Sequence, residues 1–267
     1  MTRTLAATAV LFAAFAVSNG AVWNNDARYT NWNVAPGLKD RNGLTKIPVF
    51  LEDVAYRADP TCLASINKAI TAMNADLQGC IMFDLMTTPT PSSLGKDFVW
   101  ISTKFNNGTE SDTCLSVPGR IAAQNKQGQR LYIKGSTAAK GGHCCATERP
   151  VMRFLAHTIG MRNEFNRADR DSYLKVTPEN VDPAVAQYGM YTKLAPGQGQ
   201  NLGRFDHTSI TMAENTENGA GKTTFTPIST TAKVGNKPKL SLEDCFHIKN
   251  QYGCTTMTLP CDTDAYP

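Results

Sequence analysis

The 267-residue sequence has few histidines and little imbalance of charge. Four histidines leave little room for a histidine-rich metal site. The 27 lysines and arginines exceed the 23 aspartates and glutamates by a formal charge of only +4, and the excess is spread along the chain. No basic patch of the kind that binds nucleic acid is therefore indicated. The sequence also lacks internal repeats and low-complexity segments, and its composition is that of an ordinary globular protein.

Long hydrophobic runs are missing except at the amino terminus, where Leu5–Val17 follows Arg3. Small residues come next, including Ser18 and Gly20, and this order is typical of a secretory signal peptide. The run is too short to span a bilayer comfortably, which argues against a signal anchor. We therefore expect residues 1–20 to be a signal peptide, the protein to be secreted, and no membrane to be a partner.

Cysteine, in contrast, is plentiful, and its eight copies favour an oxidising compartment. The tripeptide that begins at Asn107 is an acceptor for N-linked glycosylation in a secreted chain. Residues 21–40 are polar, contain Asn, Pro and Gly, and show no hydrophobic periodicity. We interpret them as a short leader or pro-segment.

The hydrophobic pattern predicts an α+β fold. A 3/4 spacing of apolar residues indicates an amphipathic helix over 62–77, and an apolar helix is predicted over 151–160. Ser241 begins a third helix with an oxygen cap and acids in its first turn. Short apolar runs predict strands at 47–51, 81–83, 98–101 and 131–133. This order suggests two lobes around a cleft.

The segment from Val151 to Asp171 reads V-M-R-F-L-A-H-T-I-G-M-R-N-E-F-N-R-A-D-R-D. It resembles H-E-x-x-H-x-x-G-x-x-H-E-x-x-R-x-D-R-D, the zinc-site segment of the astacin family of metzincin metallopeptidases. The second histidine of the pattern falls on His157. The other matching positions are Gly160, Glu164, Arg167, Asp169, Arg170 and Asp171.

Flanking segments resemble the same family in the same order. They are Ile47-Pro48, Cys80 to Phe83, Cys114 to Arg120, Asn180 to Pro183, Phe205 to Ile210, and Leu240 to Cys254. The resemblance covers residues 41–254 and leaves 255–267 as a C-terminal tail. It implies a two-lobed metzincin-like domain, with a mixed twisted sheet, helices, a cleft between the lobes and stabilising disulfides.

The zinc site of the family is degenerate in this sequence. In the family, three histidines bind zinc and a glutamate activates the zinc-bound water. Here Arg153 stands at the first histidine, Phe154 at the glutamate and Asn163 at the third histidine, so His157 is the one surviving ligand. A permanent cation repels zinc, and a phenyl ring cannot accept a proton. We therefore expect no bound zinc or other cofactor and no catalytic residue.

The family's methionine turn, S-I/V-M-H-Y, is altered as well. After Ser209-Ile210 the sequence continues with Thr211 at the methionine position, Met212 at the histidine position and Ala213 at the tyrosine position. The tyrosine that assists catalysis is therefore missing. We expect Met212 to be an apolar filler.

The resemblance also implies disulfides and structural charges. It pairs Cys80 with Cys254 and Cys114 with Cys145, although the neighbouring Cys144 leaves the second pairing open. Cys62, Cys144, Cys245 and Cys261 stay unassigned. It further implies that Glu164 receives the buried amino terminus of the mature chain. Arg167, Asp169, Arg170 and Asp171 are expected to form an ion-pair and turn network after the helix.

These observations predict a secreted pseudoprotease, a folded astacin-like domain that does not hydrolyse peptides. Its partner would be a secreted protein or an extended peptide, paired with an edge strand near 98–101. One alternative is an atypical zinc endopeptidase that recruits ligands elsewhere, for example His157, His207 and Glu214. A second alternative is a structural extracellular protein.

Overall fold

The computed structural model describes residues 21–263 except for 53–55, 57–58, 87–94, 106, 112, 123–127, 136–143, 218 and 236. The predicted signal peptide and the last four residues of the predicted tail therefore lie outside the described residues. No helix within the described part of the chain is both long and apolar enough to cross a membrane.

Helices and strands alternate along the described chain. In chain order the strands are β1 (Val22–Trp23), β2 (Tyr29–Thr30), β3 (Thr45–Leu51), β4 (Ile81–Met86), β5 (Phe98–Ser102), β6 (Arg120–Ile121), β7 (Gly128–Tyr132), β8 (Met161–Arg162), β9 (Leu174–Val176), β10 (Gln200–Asn201) and β11 (Phe225–Pro227). The α-helices are α1 (Pro60–Asp76), α2 (Glu148–Thr158), α3 (Pro183–Ala186) and α4 (Leu242–Tyr252). The predicted α+β class is confirmed.

The main sheet has four parallel strands in the order β4-β3-β5-β7. The four strands predicted from the sequence correspond to these four. Leu115 adds an antiparallel bridge to the outer side of β7, exchanging hydrogen bonds of 3.0 and 2.8 Å with Tyr132, so the sheet is mixed. The prediction of a free edge near 98–101 is wrong, because β5 lies between β3 and β7. The edges of the sheet are instead β4 on one side and the segment around Leu115 on the other.

Local sequence explains where the long helices begin and end. Pro60 occupies the first turn of α1, and the Asp59 carboxylate caps the turn by accepting from the Cys62 amide at 3.0 Å. The apolar stripe that predicted α1 faces the core and packs against α2. α4 begins with a capping box between Ser241 and Asp244 and ends at Gly253, whose φ is +71°.

Residues 21–40, interpreted from the sequence as a leader or pro-segment, pack into the fold. β1 is the middle strand between β8 and β10. Trp32 is fully buried, and its indole donates to the Thr158 carbonyl at 2.7 Å. The Trp23 ring lies over Gly160, where a β-carbon would approach it to 2.7 Å. The segment thus belongs to the folded core, while its removal by processing stays a prediction.

The disulfides correct one expected pairing. Cys80 is bonded to Cys254, the pair that the resemblance implies. The implied Cys114–Cys145 bridge is wrong: Cys114 is bonded to Cys144, and Cys145 is bonded to Cys62 on α1. Adjacent side chains outside a helix point in different directions, so neighbouring cysteines reach different partners. Cys245 and Cys261 form the fourth bridge.

Two hydrophobic clusters correspond to the two predicted lobes. The larger contains the inner faces of the main sheet, α1, α2 and α4. The smaller is built from the chain after α2 and consists of Phe165, Leu174, Tyr191, Phe205, Met212, Ala213 and Phe225. The carboxyl end of α2 leads from the first cluster to the second, so residues near that end lie where the lobes meet.

Candidate functional site

The position of the first expected metal ligand is occupied by a buried cation. Arg153 on α2 is 2% exposed, and its Nη2 donates to the Glu217 carboxylate, which reaches in from the loop after the altered methionine turn. Its guanidinium carbon lies 4.9 Å from the centroid of the Phe154 ring. The ion pair and the aromatic ring both stabilise the charge in place.

A second buried arginine lies one helical turn before the first. Arg149 is 2% exposed and donates to the Ser209 carbonyl at 3.2 Å. Burial, together with the neighbouring charge of Arg153, lowers its pKa. Two cations on one face of α2 make this face unfavourable for a metal dication.

The surviving histidine is buried and neutral. His157 is 8% exposed, and its ring lies 5.5 Å from that of Phe154, centroid to centroid. Burial, and then the charge of Arg153, lowers its pKa to about 3, although the nearby Asn163 carboxamide favours the charged form. Neither Nε2 of His157 nor Oδ1 of Asn163 meets hydrogen-bond geometry with any described residue. Of the three expected zinc-ligand positions, His157 and Asn163 therefore offer one atom each that has no hydrogen-bond partner among the described residues.

The altered methionine turn is held by a buried carboxylate. Asp244 on α4 accepts from the Ser209 hydroxyl at 2.7 Å and from the Ile210 amide at 2.6 Å. Burial, and next the charge of Asp206, raises the pKa of Asp244 to about 6. Met212 and Ala213 point into the smaller hydrophobic cluster, where neither offers a metal ligand or a proton donor.

The described residues do not fit a zinc ion. Among them, one group of three His, Cys, Asp or Glu side chains has ligand atoms within 4.8 Å of one another: Asp59, Cys62 and Cys145. Both cysteines are in a disulfide, and Asp59 caps α1, so this group has a structural explanation. The alternative set of His157, His207 and Glu214 is not brought together. The atypical-peptidase hypothesis therefore loses its proposed ligands.

A charged network follows α2, as the motif implies. Arg167 is 1% exposed and donates to Glu164 at 2.9 Å and to Asp169 through two bonds of 2.9 Å. Arg170 donates to Asp171 at 3.1 Å, and Lys193 pairs with the same carboxylate at 2.7 Å. The four charged residues expected after the helix are thus linked as two adjoining groups.

Glu164 is the deepest acid of this network. Its side chain is fully buried, and its Oε1 accepts from Arg167 and from the Asp206 amide at 2.9 Å. Oε2 has no hydrogen-bond partner among the described residues. Complete burial outweighs the attraction of Arg167 and raises the pKa of Glu164 to about 8. The implied contact with the amino terminus of the mature chain stays a prediction.

A cavity of about 340 Å³ opens beside the degenerate centre. The edge segment at Leu115 and Ser116 lines one side, and residues 188–194 line the other. Phe154, His157 and Asn163 belong to its wall. A cavity is therefore present beside the expected ligand positions, where the resemblance implies a cleft between the lobes.

Comparison with known proteins agrees with this geometry. The model of the Astacin peptidase family matches residues 52–253. The chain belongs to the astacin family. High choriolytic enzyme 1, a hatching enzyme zinc-protease from Oryzias latipes, has a solved structure that superposes with a TM-score of 0.55 at 26% identity, covering 81% of this chain and 93% of that one.

Two curated relatives match parts of the chain. Zinc metalloproteinase nas-13 from Caenorhabditis elegans is 28% identical over 149 residues, 55% of this chain and 30% of the relative. High choriolytic enzyme 2 from Oryzias latipes is 28% identical over 163 residues, 61% of this chain and 48% of the relative. The chain thus spans less than half the length of these two astacins.

Sequence reasoning missed Glu217, whose carboxylate compensates the charge of Arg153. It also missed Arg149, which adds a second buried positive charge on the same helix. Neither falls on a position of the astacin pattern. One physical signal was available: an arginine on a helix predicted to be buried needs a buried acid, and Glu214 and Glu217 are the acids that follow the altered turn. Choosing between these two acids required the path of the loop.

Proposed function

We propose that this chain is a secreted astacin-like pseudoprotease that holds no catalytic zinc and binds peptide segments without cleaving them. The observation that carries the proposal is the buried Arg153–Glu217 ion pair at the first ligand position. A guanidinium and a divalent metal cannot share that position, because their charges repel in a poorly solvated environment.

The missing base supports the same conclusion. Peptide hydrolysis on a metal needs a carboxylate that takes a proton from the attacking water. Phe154 stands at that position and packs against His157 and Arg153. Binding does not need these groups, because the cleft and the sheet edge remain.

An extended peptide has a docking position at the edge segment around Leu115. This segment bonds to Tyr132 on one side, and its Ser116 lines the cavity on the other. A peptide that pairs with this edge would place alternate side chains toward the cavity. The proposal also includes secretion and glycosylation at Asn107. Asn107 lies in an exposed turn, where its carboxamide accepts a hydrogen bond from the Thr109 amide at 3.1 Å.

Metal analysis of the full chain, purified from the medium of secreting cells, tests the proposal. We expect well under one zinc per chain after equilibration with zinc. We also expect no chelator-sensitive cleavage of an unstructured protein substrate, with High choriolytic enzyme 1 as the active control. Stoichiometric zinc together with chelator-sensitive cleavage would falsify the proposal.

Peptide binding is tested separately with an immobilised library of extended peptides. We expect retention without cleavage, and reduced retention when Ser116→Pro removes a backbone donor from the edge. A Thr256→Ala variant serves as the matched control, because it changes an exposed turn away from the cavity lining and leaves the glycosylation acceptor intact. Equal retention by both variants would remove the edge segment from the proposal.

A further inference from the structure

Asn107, the acceptor for glycosylation, lies in the turn of a short hairpin that follows β5. Lys104 and Glu110 form an antiparallel bridge at the base of this hairpin. Beyond the bridge, the Phe105 amide donates to the Thr109 carbonyl at 2.8 Å. The acceptor is therefore presented by a hydrogen-bonded turn with a defined geometry.

Gly108 allows the turn to close. Its φ is +82°, in the left-handed region, and its amide donates to the Phe105 carbonyl at 2.9 Å. A left-handed residue directly before the second strand is a common way to close a hairpin, and glycine adopts this conformation at the lowest cost. The turn thus fixes the position of Asn107 relative to Phe105.

Three side chains of the hairpin lie on one face. Phe105 and Thr109 are opposite each other, and opposite residues of an antiparallel pair point to the same side. The Thr109 hydroxyl donates to Oδ1 of Asn107 at 2.7 Å, so the acceptor carboxamide lies on that side too. A sugar attached to Asn107 therefore begins next to the Phe105 ring.

The Phe105 ring offers an apolar surface at this position. The side chain is half-buried, and its ring contacts that of Tyr132 on β7, with the centroids 4.7 Å apart. Because Tyr132 holds the ring against the sheet, a second contact costs little additional side-chain freedom. One face of a pyranose carries mainly C–H bonds, which are attracted to the negative face of an aromatic ring and are released from water on contact.

We propose that the first N-acetylglucosamine of a glycan on Asn107 stacks on the Phe105 ring and that this contact stabilises the fold. The inference rests on the glycosylation included in the proposed function and adds to it a carbohydrate-binding residue. Attachment joins Nδ2 of Asn107 to C1 of the sugar. The lipid pyrophosphate that carried the oligosaccharide is the leaving group, and Nδ2 loses one proton.

Denaturant titration of the full chain, secreted with high-mannose glycans, tests the proposal. Intact mass establishes the glycan on Asn107, an endoglycosidase trims it to the first sugar, and Asn107→Gln provides the unglycosylated chain. We expect the single sugar to lower the equilibrium constant for unfolding about fivefold, which is the effect of one aromatic stacking contact.

A double-mutant cycle locates the contact. In Phe105→Leu, which keeps an apolar side chain, the sugar should change the unfolding constant by less than about twofold, whereas Phe105→Trp should retain its effect. Phe246→Leu is the matched control, because it removes an exposed aromatic ring on α4 and should leave the effect of the sugar unchanged. Melting temperatures establish that each variant is folded.

Proton resonances of the first sugar give a measurement in the unmodified chain, so the test does not depend on the folding of a variant. The ring current of Phe105 should shift them upfield from their positions in the denatured chain. An unshifted sugar, or an equal effect of the sugar in the unmodified chain and in Phe105→Leu, would overturn the stacking. A chain without glycan on Asn107 would overturn both the modification and the stacking, whereas the pseudoprotease function is decided separately by the metal analysis.

Discussion

Each half of the segment 151–171 contains a buried arginine, and the carboxylates that compensate the two charges come from different parts of the chain. In the first half, Arg153 pairs with Glu217, a residue 64 positions away in the chain. In the second half, Arg167 pairs with Glu164 and Asp169, three and two positions away. The first half therefore takes its carboxylate from a distant loop, whereas the second half combines neighbouring carboxylates with bonds to Gly203, Arg204 and Asp206. The two halves thus differ in whether the carboxylate that pairs with the buried arginine comes from the same segment.

Restoring the family's zinc ligands in the first half should produce the largest change, measured as the zinc content of the chain. In a variant with Arg153→His, Phe154→Glu, Asn163→His and Glu217→Gln, two new histidines and His157 make up a set of three ligands. The same changes remove the competing ion pair. We expect about one zinc per chain, because a three-ligand set is what catalytic zinc requires. Mass spectrometry of the metal content measures it.

The matched control for the rebuilt site is the same variant with His157→Gln, which should not retain zinc. If the unmodified chain holds as much zinc as the rebuilt one, the two halves do not differ as described.

Breaking the distant pair should be the next largest effect. Glu217→Gln leaves Arg153 buried without its carboxylate, and we expect a loss of about 3–5 kcal/mol in the free energy of unfolding. Denaturant titration measures this loss. The double variant Glu217→Gln with Arg153→Met should recover most of it, because no charge is then stranded. A double variant as unstable as the single one would show that the charge is not the cause.

Alkaline pH should act on the second half. The pKa of Glu164 is about 8 in the folded chain and 4.5 in the unfolded one, so the folded chain binds the proton more tightly. Its contribution is complete below about 4.5 and is lost as the pH rises through 8. We therefore expect stability to decline over this range. Denaturant titrations at several pH values test this, and Glu164→Gln should flatten the decline.

Acidic pH should act on the first half with the opposite sign. The pKa of His157 falls from 6.5 in the unfolded chain to about 3 in the folded one, so the unfolded chain takes up the proton first. Stability should therefore decrease as the pH falls from about 6.5 toward 3. His157→Phe removes this dependence and keeps an aromatic ring beside Phe154. An unchanged acid slope in that variant would assign the effect to other groups.

The smallest effect is expected at the surface of the second half. Lys193 and Asp171 are 45% and 58% exposed, so their pair is screened by water. Lys193→Met should change the free energy of unfolding by less than about 1 kcal/mol. Thermal melting at low and high salt measures it. A larger loss would mean that this pair contributes more to stability than its exposure indicates.

Periodicity and capping residues predicted the local elements well. The apolar spacing that predicted a helix over 62–77 corresponds to α1, and the Ser241 cap begins α4 as expected. The ordered motif predicted the family and the altered ligand positions. These features depend on residues close together in the chain, and a single sequence displays them directly.

Contacts between residues far apart in the chain could not be predicted from the sequence in the same way. The pairing of Cys114 with Cys144 depends on which way two adjacent side chains point. The packing of Trp32 depends on its hydrogen bond to a carbonyl of α2. The hydrophobic pattern of residues 21–40 does not predict this contact. Likewise the position of β5 inside the sheet depends on strand order, and strand order is a property of the whole fold.

The early segment also has a consequence for synthesis. Trp32 bonds to a residue 126 positions later, and the Cys80–Cys254 bridge spans 174 positions. The ribosome therefore synthesises the first strand, Trp23 and Trp32 long before their partners exist. Folding of such distant contacts is slow, and the exposed apolar surface favours aggregation in the meantime. The nascent chain is consequently expected to need a chaperone until α4 has emerged.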